Sequence, residues 1–158
     1  MVLDYKLYLE RSENELKLAR IIFKISNNNK IQLNVFNIAE PETYYSSVIS
    51  HSYFSIFYSA KAYLTKKRIL TKAPEEHRKT FEEFKKFVEK GEIDLELLKI
   101  YKKLLVRADT LLGIFSREKK KRGHFTYKTL PQSNKEPAKE SIERARTFFK
   151  HIYNLTQS

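Results

Sequence analysis

An all-helical bundle is predicted from three observations. Chain breakers are scarce, with 3 Gly and 4 Pro in 158 residues, and such a chain favours long helices over many short strands. The composition is globular, 41% hydrophobic and 32% charged. Leu97, Tyr101, Leu104, Ala108, Leu111 and Phe115 alternate at spacings of four and three, the pattern of a helix packed in an antiparallel bundle. We therefore expect an up-and-down bundle of about five helices in a single domain spanning 1–158.

The elements follow in order. Leu3, Leu7, Leu16, Ala19, Ile22 and Phe23 give an interrupted helical stripe over 3–25. Asn27-Asn28-Asn29 favours a turn after it. Residues 30–40 fit either an extended connection or a short strand. Pro41 and Glu42 suit the first turn of a second helix running to about Lys67. Its serines, interleaved with aromatic residues, permit close helix approach and mark it as the central helix.

Pro74, Glu75 and Glu76 open a third helix, with Phe81, Phe84 and Val88 as its buried stripe and Gly91 as its stop. Asp94 caps a fourth helix, which is expected to continue through the basic run 117–122 and stop at Gly123. Residues 124–132 read as a loop. Ser133 and Glu136 have capping-box spacing, and a last helix to about Tyr153 buries Ala138, Ile142, Ala145, Phe148, Phe149 and Ile152.

Composition excludes several function classes. With no Cys, disulfides, thiolate zinc sites and cysteine nucleophiles are ruled out. No apolar run approaches the roughly 18 residues of a membrane span, and the polar N-terminus is not a signal peptide, so a soluble, cytoplasmic protein is expected. The net charge is +12. Its densest run, Arg117 to Arg122, holds five positive charges in six residues. A polyanionic partner and a solvated Lys-rich surface both account for such a balance.

No Gly-rich phosphate loop is present, and the four His at 51, 77, 124 and 151 lack metal-ligand spacing. No metal or cofactor is expected. His51 reads as a hydrogen-bonded histidine within or at the edge of the bundle. His77 and His151 read as first-turn and last-turn residues with polar neighbours. His124 follows the basic run, and Arg117 precedes it by seven residues, two turns of a continuous helix, so the two would share one face. An Arg and a His converging on a phosphodiester suit metal-free RNA cleavage: the imidazole shuttles protons and the guanidinium stabilises transition-state charge.

The stretch from Tyr44 through Tyr53, Phe57 and Ala60 to Leu64 resembles the second-helix signature of HEPN domains (higher eukaryotes and prokaryotes nucleotide-binding). Arg107-Ala108-Asp109 is placed where that family often carries an R-x-A-D-Y-like stretch and resembles it, with Thr110 where the Tyr would stand, and the closing helix from Ala138 to Phe149 fits as well. The resemblance covers roughly residues 3–153. It implies a bundle of four or five helices, a homodimer, and in many prokaryotic members a ribonuclease toxin paired with a minimal nucleotidyltransferase antitoxin. Arg117 and His124 match the six-residue variant of the family's R-x4-6-H motif and are the implied catalytic pair. Tyr127, three residues after His124, is the candidate for modification by the partner.

Three functions are thus expected from sequence. One is a metal-independent ribonuclease, with Lys119, Lys120, Lys121 and Arg122 holding the RNA backbone. Another is a non-catalytic module that binds RNA, a nucleotide or a nucleotidyltransferase partner through its basic surface. The last is a dimerising interaction protein, because 10 Tyr and 11 Phe exceed what a core of this size needs.

Overall fold

The computed structural model describes residues 4–114 and 135–157. These residues form α1 (Tyr5–Ser26), α2 (Asn29–Phe36), α3 (Tyr45–Lys66), α4 (Glu76–Glu89), α5 (Leu95–Leu112) and α6 (Lys135–Gln157). No strand occurs among the described residues. The chain is an all-α bundle.

Asp4 starts α1 by accepting the Lys6 backbone N–H at 2.9 Å, which satisfies one of the orphan donors of a helix start. The buried positions Leu9, Ser12, Leu16 and Ala19 form one face, and it lies antiparallel along α3. Ser12 donates to the Ser55 carbonyl at 2.6 Å, and its Oγ lies 2.6 Å from that of Ser59. Further along, Glu15 meets His51 and Phe23 meets Tyr45. Serine at these contacts keeps both helices narrow and supplies the hydroxyl's partner.

Residues 30–40 are neither a strand nor an extended connection over most of their length, because α2 occupies Asn29–Phe36. The Asn28 side chain caps it by accepting from Ile31 N–H at 3.0 Å. Gln32 is fully buried. Its amide donates to the carbonyls of Ile25 and Glu42 at 2.9 and 2.8 Å, while its Oε1 accepts from Glu42 N–H at 2.8 Å. One side chain thus pins α2 between the end of α1 and the approach to α3. Pro41 and Glu42 consequently lie in that approach and not in the first turn of α3, which begins at Tyr45.

α3 is the central helix, with Val48, Tyr53, Ile56, Ala60 and Ala62 fully buried. Tyr53 contacts the His77 end of α4 and Tyr63 contacts Phe84 and Phe87, so α4 runs in the direction of α3. The four long helices α1, α3, α5 and α6 alternate in direction. α4 ends at Gly91 (φ +80°), where Gly91 N–H reaches the Val88 carbonyl and Glu92 N–H the Phe87 carbonyl, each at 3.0 Å. These are the two bonds of a Schellman stop.

Asp94 caps α5 through the Glu96 N–H at 2.9 Å. The helix does not continue through the basic run. It ends at Leu112, where Gly113 adopts φ +64° and donates to the Asp109 carbonyl at 2.8 Å. Glycine takes this left-handed conformation without a Cβ penalty, and that sets the stop. Phe115, Gly123, the 124–132 segment and Ser133 lie outside the described residues.

α6 buries Ala138, Ser141, Ala145, Phe148, Ile152 and Thr156, with Ile142 and Phe149 half-buried. Phe84, Tyr101 and Phe148 meet with ring centroids 5.3–5.7 Å apart and join α4, α5 and α6 at the core's centre. Much of the aromatic content expected at an interface is spent here and around Tyr53, Phe57 and Tyr63.

Candidate functional site

Arg117, Lys119, Lys120, Lys121, Arg122, His124 and Tyr127 all lie outside the described residues. The flanks of their segment are described. Arg107 donates to Ser141 Oγ at 3.0 Å, to Glu140 Oε1 at 2.9 Å and to the Pro137 carbonyl at 3.4 Å. Lys103 Nζ lies 2.6 Å from the same Glu140 oxygen. The Lys103 hydrogen bond, with help from Arg107, holds the Glu140 carboxyl below the usual carboxylate range. This clamp ties the last turns of α5 to the first turns of α6. Ile114 and Lys135 therefore lie at the same end of the bundle. The adjoining cavity, about 330 Å3, is lined by Glu136, Glu140 and Glu143 besides Arg107 and Lys139. Three carboxylates make it a poor phosphate site.

The described residues bring together a second set of chemical groups, where α1, α3 and α4 meet. Tyr53, Phe57 and Lys61 follow one another at four-residue intervals on α3, which aligns them on one face. Lys61 is 7% exposed. Its ammonium pairs with Glu76, donates to the Thr71 carbonyl at 3.0 Å and lies 5.1 Å from the Tyr8 ring centroid. A buried ammonium is tolerated only with such partners. Thr80 donates to the Glu76 carbonyl at 2.7 Å, and its Oγ1 lies 2.6 Å from that of Thr71, so Thr71 is the donor between them.

His77 follows Glu76 in the first turn of α4. Sequence reasoning assigned it polar neighbours, but its ring stacks on Phe57 at 4.1 Å and lies within 6.2 Å of Phe54. Its Nδ1 is 2.7 Å from the Tyr53 hydroxyl. Burial lowers the His77 pKa from its ordinary value, against a smaller opposing effect of Glu76. Burial raises that of Tyr53 far above the ordinary range, with Tyr101, Asp109 and Glu76 adding to it. The phenol therefore stays protonated and donates, and the neutral imidazole accepts at Nδ1. Nearby, His51 Nδ1 lies 2.5 Å from Glu15 Oε2, so His51 is the hydrogen-bonded edge histidine expected. Each imidazole is held at Nδ1, and Nε2 is the second hydrogen-bonding nitrogen of each ring. His151 is exposed on α6.

Sequence reasoning overlooked Lys61, Glu76 and Glu15. The available signal was Lys61 itself: a lysine four residues after Phe57, inside the apolar run that makes α3 central, marks a paired buried charge.

Among the described residues no cluster of three or more His, Asp and Glu could hold a metal ion, and no helix is long and apolar enough to cross a membrane. Comparison with protein-family models, curated proteins and solved structures returns no match. Fold and site together define a basic, all-helical protein with a buried Lys–Glu pair beside a Tyr–His pair.

Proposed function

We propose that this chain is an RNA-directed helical module of the HEPN type. The observation that carries the reading is the concentration of five positive charges between Arg117 and Arg122, on a stretch whose two flanks the Arg107 clamp draws to one end of the bundle. A short basic stretch presented from one place binds a phosphate backbone by displacing condensed counterions. Lys119, Lys120, Lys121 and Arg122 are the backbone contacts in this reading. Arg117 and His124 are its metal-independent cleavage pair: the imidazole moves the proton of the ribose 2′-hydroxyl, and the guanidinium balances charge on phosphorus. A homodimer, a minimal nucleotidyltransferase partner and modification at Tyr127 belong to the same proposal.

The second reading, a non-catalytic module with the same RNA surface, is favoured by the stop of α5 at Gly113. The continuous helix expected to carry Arg117 onwards from Asp94 ends before reaching it.

The test is RNA binding and cleavage by the purified protein in EDTA, beside His124→Ala. Cleavage lost in the variant, with binding kept, establishes the nuclease. Binding without cleavage by either protein establishes the module. Absence of salt-sensitive binding overturns both.

A further inference from the structure

α1 carries two stripes side by side on its outer surface. Leu18, Ile21, Ile22 and Ile25 recur at spacings of three and four, and Leu18 and Ile21 are 40% and 55% exposed. Lys17, Arg20 and Lys24 repeat in the same rhythm one position earlier and are exposed, so a basic stripe borders the apolar one. α2 continues both. Gln32 turns inward, while Lys30, Leu33 and Phe36 follow at intervals of three, with Leu33 and Phe36 52% and 51% exposed.

Where α1, α2 and the start of α3 meet, a cavity of about 260 Å3 opens, lined by Ile22, Ile25, Phe36, Ile38, Tyr44 and Ser47. Pockets for small organic ligands run about 300–1,000 Å3 and converge several polar groups on their occupant. This one is smaller, and its Tyr44 hydroxyl is committed to Glu42 at 2.7 Å. It suits a single apolar side chain.

Charge selects where that side chain comes from. Between Leu16 and Ala39 stand Lys17, Arg20, Lys24 and Lys30, and no acid. Lys17 shares a 2.9 Å pair with Glu13 in which both side chains are exposed, a contact of little worth in water. Arg20, Lys24 and Lys30 have no ion-pair partner among the described residues. A second copy of this chain would set these four cations against four more. A single-stranded nucleic acid would meet aliphatic side chains where it needs ring faces to stack on. A flat lipid surface would leave the cavity unfilled. A protein helix with an apolar ridge flanked by carboxylates matches the apolar stripe, the cavity and the cations together.

We infer that the α1–α2 face is a docking groove for an acidic amphipathic helix of a partner protein. One apolar side chain of that helix fills the cavity against Ile22, Ile25 and Phe36. Its neighbours one turn away cover Leu18, Ile21 and Leu33, and its carboxylates meet Arg20, Lys24 and Lys30. No residue of the 117–127 segment takes part, so this inference and the proposed function can each fail without the other.

The probe is a hydrocarbon-stapled helical peptide of about four turns, with leucines at spacings of three and four and glutamates along both flanks. A counterpart carries lysines in place of the glutamates. Fluorescence anisotropy reads binding to the full chain, to Ile21→Ser, to the Arg20→Glu/Lys24→Glu double variant and to Val106→Ser. Val106, 58% exposed on α5, is the control, and circular dichroism confirms that each variant is folded. The expected result is that the acidic peptide binds, more weakly as salt rises, and that the lysine peptide does not. Ile21→Ser weakens the acidic peptide by about fivefold or more, the scale of no longer covering a half-exposed aliphatic side chain, and Val106→Ser leaves it unchanged. The double charge reversal inverts the preference, so that the lysine peptide binds more tightly than the acidic one. No binding of the acidic peptide up to about 1 mM overturns the inference, whether the face then takes up phosphatidylserine vesicles or a second copy. Binding that neither Ile21→Ser nor the charge reversal alters overturns it as well.

Discussion

The Nδ1 of His77 accepts a hydrogen bond from the buried Tyr53 hydroxyl at 2.7 Å. The contact joins the start of α4 to the middle of α3 and fixes which protonation state of the imidazole the fold accepts. A protonated His77 would turn a second donor toward Tyr53.

Stability should therefore fall in mild acid. The folded His77 pKa lies below its ordinary value of 6.5, so between the two the unfolded chain binds more protons and stability rises with pH. The contribution is complete above about pH 6.5 and is lost as pH falls through the folded value. Thermal unfolding from pH 7.5 to 5 should show a steeper loss in the wild type than in His77→Gln. Equal slopes would mean that the imidazole does not report this environment.

The Lys61–Glu76 pair predicts an asymmetry. Glu76→Ala leaves an ammonium buried with only the Thr71 carbonyl and ring faces for company. Breaking a fully buried pair costs about 3–5 kcal/mol; Glu76 has a side chain 36% exposed, so a loss of about 2 kcal/mol is expected after screening. Lys61→Met strands only a carboxylate that water can reach, and should cost less. The Lys61→Met/Glu76→Ala double variant should recover part of the Glu76→Ala loss. Urea unfolding of the three variants measures the order.

Gln32→Ala removes three hydrogen bonds to backbone groups of Ile25 and Glu42. Unsatisfied buried backbone groups cost about 1–3 kcal/mol each, but local opening of α2 can let water in. The expected outcome is faster amide exchange across Asn29–Phe36 with the Phe84–Tyr101–Phe148 core still protected. Unchanged exchange in α2 would show that Asn28 capping alone holds the helix.

Arg107→Ala should loosen the first turns of α6. The guanidinium serves Pro137, Ser141 and Glu140 at once, and Lys at this position cannot reproduce its fork. Arg107→Lys is therefore expected to exchange faster than the wild type at residues 137–141, though less than Arg107→Ala. Identical protection in all three proteins would assign the joint to Lys103 and Glu140.

Salt should weaken RNA binding in proportion to the basic run. For single strands each displaced counterion contributes about 0.7 to the slope of log affinity against log salt. Replacing Lys119, Lys120, Lys121 and Arg122 with Ala together should lower the magnitude of that slope by up to about 3. A slope unchanged by the replacement would move the RNA contact off this segment.

Helix identity was legible wherever the apolar period ran long. Leu97 to Leu111 identified α5, Asp94 identified its cap, and Gly91 the stop of α4, because these signals act within a turn or two of backbone. α2 escaped the same reading. At 8 residues it is too short to show a period, and it is held by Gln32, whose partners are 7 and 10 positions away. The end of α5 was misplaced for a related reason. Gly113 and Gly123 are equally able to stop a helix by composition; Gly113 takes the left-handed conformation that ends α5, and Gly123 lies outside the described residues.

The sequence by itself determined the helical class, the central place of α3, the Asp94 cap, the Gly91 stop and the basic character of the 117–122 run, all of which follow from local propensity, periodicity and charge. The tertiary structure alone decided that Lys61 meets Glu76, that Tyr53 meets His77, that Arg107 binds α6, and that α2 leaves Leu33 and Phe36 uncovered. These depend on the packing of elements distant in sequence. Burial then sets both the strength of each polar contact and the protonation state it favours.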